Sequence, residues 1–209
     1  MSSLFEFSAE VTRWALTIYE WIIIIAILVS WVNPDPRNPI VQFLNNMTYP
    51  LWNYLGRQLP AGLKLFAAYF SLLLVWFLKV FLPGTLLTLG AWSGAAIGFD
   101  AVPMRIFGFF LLGLGIVLQN LLFFLMLLLL VWFFLTLISP SVNSPIVRTV
   151  FVLVDPFITP IQKWLPRTKV DFSPLVAAGI FLVLKMLVVA QLIVFSAGLA
   201  NYSAAGALS

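Results

Sequence analysis

The sequence predicts an all-α integral membrane protein with four transmembrane helices. They are arranged as a parallel duplication of one unit: span, interfacial amphipathic helix, span. Three observations carry this reading. Of the 209 residues, 63% are hydrophobic and 9% charged, with a mean hydropathy of +1.10. Soluble domains run roughly 45–50% apolar and about 25% charged. Four stretches are long and apolar enough to cross ~30 Å of hydrocarbon, which takes about 20 residues. Finally, residues 39–60 recur without a gap as residues 145–166. A water-soluble fold of this composition would expose apolar patches that monomers do not tolerate, and disorder needs the opposite composition.

The first unit is expected over 1–82, with spans at 12–32 and 63–82 around an amphipathic helix at 38–59. The first span is not read as a cleaved leader. Glu6 and Glu10 precede it in place of a basic stretch, and no small-residue cleavage site follows. The second unit is expected over 106–209, with a span within 106–138, an amphipathic helix at 144–165 and a span at 174–197. The long stretch from Ile106 to Ile138 must tilt, kink or project. Gly108, Gly113, Gly115 and Gln119-Asn120 are the places for a kink. Between the units, 83–105 reads as a glycine-rich connector or re-entrant segment, with a fifth crossing as the alternative. Its Gly90, Gly94 and Gly98 are spaced for close helix packing, which also allows a homo-oligomer.

In the repeat, Pro39, Pro50 and Pro60 return as Pro145, Pro156 and Pro166, and Arg57 returns as Lys163. Asn38-Pro39 and Ser144-Pro145 place an N-cap residue before a proline at the first helical position, where its missing N–H costs nothing. Asp171, Ser173 and Pro174 form a third such start, ahead of the last span. Ile40, Leu44, Met47, Leu51, Leu55 and Leu59 define an apolar face in the first copy; Ile146, Val150, Val154 or Leu153, Phe157, Ile161 and Leu165 do so in the second. Polar and basic residues lie opposite, as in helices that rest in a membrane interface. The internal prolines should bend or break both helices.

Arg37, Arg57, Arg148, Lys163, Arg167 and Lys169 all fall on one side of a four-span topology. The positive-inside rule puts that side in the cytoplasm and both termini outside. These six residues are the candidate binding surface for anionic lipid and a partner protein, and direct nucleic-acid binding is not expected. With no histidine and no cysteine, thiolate and imidazole metal sites, disulfides and Ser-His or Cys-His catalysis are excluded. No enzyme activity and no cofactor are therefore expected.

Charges inside spans are costly and are functional candidates. Glu20 and Lys185 each lie about 18 Å from the basic end of their spans at ~1.5 Å per residue. Equal depth and opposite sign predict an ion pair joining the first span to the last. A transport reading would give that pair an ion-coupling role, with Gln119, Asn120 and Gln191 as further polar groups. Lys64 and Lys79, near expected span ends, are free to snorkel.

The chain resembles the YggT (YlmG) family of small membrane proteins in its two-repeat bacterial form. The resemblance rests on Ser30-Trp31, Asp35-Pro36-Arg37-Asn38-Pro39, the two proline frames, Asp155-Pro156 and Asp171-Phe172-Ser173-Pro174. Members often carry several arginines before the third proline; here the copies keep only Arg57 and Gln162-Lys163. An arginine usual in the first span is replaced by Ile25 or a neighbour. The resemblance implies a bacterial inner-membrane protein associated with cell division, envelope morphology or tolerance of osmotic stress, and no established enzyme activity. Plastid relatives are associated with nucleoid organisation and maturation of b-type cytochromes. The function expected is that of a non-enzymatic scaffold or accessory protein working with a division-associated or other membrane protein. The alternative is ion or small-solute transport. Cytochrome cofactor assembly is a third reading, weakened by the lack of His and Cys.

Overall fold

A computed structural model describes residues 2–32, 34–138, 144–163 and 171–202. Every regular element among them is helical: α1 (Ser2–Trp31), α2 (Pro39–Gln58), α3 (Ala67–Ser93), α4 (Ala101–Ile138), α5 (Pro145–Gln162) and α6 (Ser173–Ala200). A single 3-10 segment, Ala61–Phe66, leads into α3. Four of the helices, α1, α3, α4 and α6, are long and apolar enough to cross a membrane. The spans follow chain order in space, α1 along α3, α3 along α4 and α4 along α6. The short helix α2 leans on α1 and α3, and α5 leans on α4 and α6.

Two span boundaries differ from expectation. α1 begins at Ser2 instead of near Thr12, because its early polar groups are satisfied within the helix. Ser8 and Thr12 donate their hydroxyls to the carbonyls of Leu4 and Ser8, and Arg13 pairs with Glu10 at 3.2 Å. The larger difference is in α3, which runs through Pro83 to Ser93 as one helix. Residues 83–93, expected as a connector or re-entrant segment, are its last turns, and only 94–100 join it to α4. Buried Pro83 deprives the Lys79 carbonyl of its usual donor, a loss that helices within membranes tolerate. Thr85 donates to Leu82 O and Thr88 to Gly84 O.

Gly90, Gly108, Gly113 and Gly115 are contact points between helices of the chain. A Cβ at Gly90 would press on Phe5 of α1, at 2.7 Å. In α4, Gly113 faces Phe77 of α3, and Gly115 faces Ile193 of α6. A Cβ at Gly108 would run into the backbone of Leu199 and Ala200. α4 is unbroken across these positions, and its 38 residues give a length of about 57 Å. It therefore exceeds the hydrocarbon thickness as one continuous helix, which must tilt, bend or project.

α6 carries a π-turn, Lys185–Val189. Ala177 is buried early in α6, and Val189, Ser196 and Ala200 are buried later. An uninterrupted 3.6-residue period from Ala177 would bring Val188 to that face; one extra residue in the turn brings Val189 instead.

The prolines inside α2 and α5 do not break them: both helices are continuous through Pro50, Pro156 and Pro160. Their seating repeats position for position. Val41, Leu44 and Thr48 are buried in α2, and Val147, Val150 and Val154 in α5. This inner strip is displaced from the expected face, since Ile40 and Met47 are 66% and 46% exposed. Branched or small residues fit between two spans, while longer ones stay outside. Tyr19 donates its hydroxyl to Met47 O at 3.1 Å, and Trp52 Nε1 donates to Ser71 Oγ at 2.9 Å. Tyr19 precedes the end of α1 by about 18 Å of helix, so the middle of α2 is seated against the flanks of the spans, below their ends.

Two apolar clusters result. Ile23, Ile27 and Val75 gather with Leu51 and Trp52 in the first unit. Leu128, Leu129, Val150, Val154, Ile158 and Ala177 gather in the second. Trp31 packs against both.

Candidate functional sites: an intramembrane ion pair and a basic groove

Glu20 does not pair with Lys185. Its Oε2 accepts from Lys79 Nζ at 2.6 Å and its Oε1 from Trp76 Nε1 at 2.9 Å. Glu20 meets a lysine of equal depth, but that lysine is Lys79. With α3 ending at Ser93 instead of Leu82, Lys79 moves from a span end to mid-span. It stands 12 residues into α3 from Ala67, and Glu20 stands 11 residues before Trp31. α1 and α3 are antiparallel neighbours, so the two charges meet at one level. The pair is partly shielded, with 31% of the Lys79 side chain and 16% of the Glu20 side chain exposed.

Glu20 opens onto a cleft of about 260 Å³ between α1, α3 and α4. Its walls are mainly apolar and aromatic, with Trp76 and Phe123 at the level of the carboxylate and Trp31 and Tyr69 toward the basic end. Trp31 Nε1 donates to Tyr69 Oη at 3.0 Å, closing that rim. Asn120 also lines the cleft, and its amide has no hydrogen-bond partner among the described residues.

Lys185 starts the π-turn of α6, and its Nζ lies 5.6 Å from the centroid of the Phe123 ring. All seven carboxylate side chains lie among the described residues, and none is in ion-pair distance of it. Lys79 and Lys185 are separated by 106 positions, the offset of the repeat, so they are equivalent in the two units. The position equivalent to Glu20 is Met126.

The second site lies at the end of the bundle that carries the basic segments. A groove of about 690 Å³ opens between α1, α2, the start of α3 and α5. Arg57 and Lys64 line it together with Asn53, Trp52, Tyr49 and Ser30. Both cations are exposed and neither makes an ion pair among the described residues. Lys64 was not among the expected binding residues. Its place four residues past Pro60, on the basic side of the first unit, was the available signal. Arg37, Arg148 and Lys163 are exposed at the same end but do not line the groove. Arg167 and Lys169 lie outside the described residues.

The helix starts are partly as expected. Asn38 Oδ1 accepts from Ile40 N at 2.9 Å, with Pro39 at the first helical position. Asp35 Oδ1 accepts from Arg37 N at 2.9 Å in the turn before it. Ser144 holds the N-cap of α5 in extended backbone with Pro145 following, but its hydroxyl makes no capping bond. At α6 the cap comes from Asp171, not from Ser173, which is itself helical and buried ahead of Pro174. Asp171 Oδ1 accepts from Ser173 N at 2.9 Å, and Oδ2 accepts from Gln162 Nε2 at 2.7 Å, tying α5 to α6. Partial burial pushes the Asp171 carboxyl up. The hydrogen bonds from Ser173 and Gln162 outweigh this and leave it below its ordinary value.

Four apolar spans, two of the short helices seated between span pairs and a charged pair at mid-depth define a multi-pass helical membrane protein of duplicated build. The chain belongs to the CCB3/YggT family, whose profile matches residues 5–89 and again 111–192. It is similar to the YggT protein of Escherichia coli K12, itself uncharacterized. The two are 28% identical over 172 residues, which cover 82% of this chain and 83% of the relative. The YggT protein of Escherichia coli O157:H7 matches to the same extent. No solved structure matches the chain. Neither the family nor the relatives indicate an enzyme, and among the described residues no three carboxylates gather into a metal-binding group.

Proposed function

We propose that the protein is a non-enzymatic accessory or scaffold protein of a bacterial cytoplasmic membrane. Its basic end faces the cytoplasm with both termini outside, as the Lys and Arg distribution favours. There it holds an anionic phospholipid headgroup and presents the surrounding basic surface to a partner in division, envelope maintenance or membrane-complex assembly. The groove lined by Arg57 and Lys64 carries this reading. Two unpaired cations, with aromatic rings at the level of the span ends, suit a phosphate headgroup and the top of its acyl chains. Each basic residue near an anionic surface contributes about 1 kcal/mol. Neutralising both in R57Q/K64Q should therefore weaken phosphatidylglycerol binding by roughly tenfold to thirtyfold. Native mass spectrometry of the detergent-purified protein, titrated with phosphatidylglycerol and with phosphatidylcholine, reads this directly. Equal retention of both lipids by wild type and variant would sink the proposal.

Ion or small-solute transport linked to osmotic tolerance draws on a different observation, the cleft that brings Glu20 and the unpartnered Asn120 amide together. Its centre is then Glu20 with Lys79. Flux through proteoliposomes containing wild-type protein, abolished in E20Q and N120A, would move this reading to the front.

A further inference from the structure

We infer that the mid-span face of α6 around Lys185 receives a transmembrane helix of another protein, one carrying an Asp or Glu near its centre. This deepens the accessory-protein reading and rests on it, by naming the chemistry of the partner. Lys185 lies 12 residues into α6 from Ser173, about 18 Å of helix. That depth exceeds what a lysine stem spans, so its ammonium does not reach the headgroups by snorkelling. An ammonium left in hydrocarbon is costly, and such residues face protein or water. Among the described residues the group has only the face of Phe123, at 5.6 Å. The residues beside it are open: Val183, Met186 and Leu187 are each more than half exposed.

The neighbouring polar group points the same way. Phe123 separates Lys185 from the cleft, and Asn120, one turn earlier on α4, lines that cleft with its amide unbonded among the described residues. A helix laid over Phe123 would meet the cation on one side and the amide on the other. A carboxylate satisfies both, since it accepts from an ammonium and from an amide N–H.

A second copy of this chain does not supply that carboxylate. Its one mid-span carboxylate, Glu20, has both oxygens engaged, by Trp76 and Lys79. Glu6 and Glu10 lie toward the opposite end of α1. Two copies meeting at this face would instead oppose two lysines. In the first unit the same lysine position is answered by Glu20 from within the chain; in the second, Met126 stands where that carboxylate would be. The missing charge is then delivered from outside.

The test uses full-length protein, donor-labelled and reconstituted in phosphatidylcholine vesicles. Acceptor-labelled polyleucine transmembrane peptides carry a single central Asp, a central Leu, or the Asp moved to one end. Energy transfer should show the central-Asp peptide binding about tenfold or more tighter than the other two. K185M should bring it down to the level of the central-Leu peptide, and K185R should retain the preference. K185M removes an unpaired charge, so loss of folding does not mask the result. Equal binding of the three peptides, or a central-Asp preference that survives in K185M, would overturn the inference. Energy transfer between copies of the protein that K185M abolishes would also overturn it, in favour of self-association. Lipid binding at Arg57 and Lys64 is read on other residues, so either proposal can fail alone.

Discussion

Lys79 and Lys185 are the same residue of a duplicated unit, 106 positions apart, in opposite surroundings. One is held 2.6 Å from the Glu20 carboxylate, and the other lies over an aromatic ring 5.6 Å away. The first is an internal structural bond between α1 and α3. The second is a charge without an ion-pair partner among the described residues. Their substitutions should therefore act in opposite directions.

Replacing Lys79 with Met strands a carboxylate in the apolar layer and should cost about 3–5 kcal/mol, with E20Q alone similarly harmful. The double variant E20Q/K79M should recover most of that loss, because neither charge is then left alone. K185M should be neutral or stabilising. Unfolding of the purified protein in mixed micelles, run as a double-mutant cycle, checks all four. Equal loss in K79M and K185M would contradict the pairing.

The two units answer one packing problem with different chemistry. Trp52 and Ser71 are hydrogen-bonded in the first, and their equivalents in the second, Ile158 and Ala177, meet in an apolar cluster. S71A should cost about 1–3 kcal/mol, since it leaves the Trp52 indole N–H unpaired. W52I/S71A converts the first seat to the second's composition, and it should be less damaging than the sum of the single changes. Thermal midpoints of the three variants read the coupling.

Gly108 and Gly179 make a sharp contrast. A methyl at Gly108 meets the Leu199–Ala200 backbone, which has no rotamer to yield, whereas nothing lies within 4 Å of the Cβ position at Gly179. G108A should force α4 from α6 and cost about 1–3 kcal/mol. G179A should gain up to about 1 kcal/mol from helix propensity. Opposite shifts in thermal midpoint are expected, and shifts of the same sign would argue against this contact.

Asp171 ties the end of α5 to the start of α6 outside the membrane layer, with its carboxyl held below its ordinary value of 3.8. A depressed carboxyl contributes stability that is full above the unfolded value and disappears as pH falls through the folded one. The wild-type thermal midpoint should therefore fall more steeply than that of D171N as pH drops below 3.8 toward the lower value of the folded state. Parallel profiles would remove the cap from the account of stability.

The number of spans, their pairing into two units and the seating of α5 through Val150 were legible in composition and repeat, whereas Val154 and Leu153 fit the period equally and only packing between the spans selects Val154. The end of α3 was not legible. The glycines of 83–105 read as a connector or re-entrant segment, which shortened α3 by 11 residues and placed Lys79 at a helix end. That one boundary turned a mid-span ion pair into a snorkelling lysine and left Glu20 to the nearest remaining cation of equal depth. The inner strip of α2 was missed for another reason. Ile40 and Val41 both fit an apolar period, and only the width of the gap between two spans selects the narrower residue. The groove was half visible, because Arg57 repeats as Lys163 while Lys64 has no counterpart in the second unit.

Trp31 sits at the end of α1, yet it touches the apolar clusters of both units. On a ribosome the first of these clusters is complete once α3 has been made, while the second is complete only when Ala177 of α6 has been added. Chains grow at about 5–20 residues per second. The indole is therefore without its full second cluster for several seconds or more, its N–H already held by Tyr69. The first half closes on itself and stays in the bilayer with a prepared edge, against which the second half is templated as it emerges. Order of synthesis thereby selects which copy of the repeat acts as foundation and which as addition.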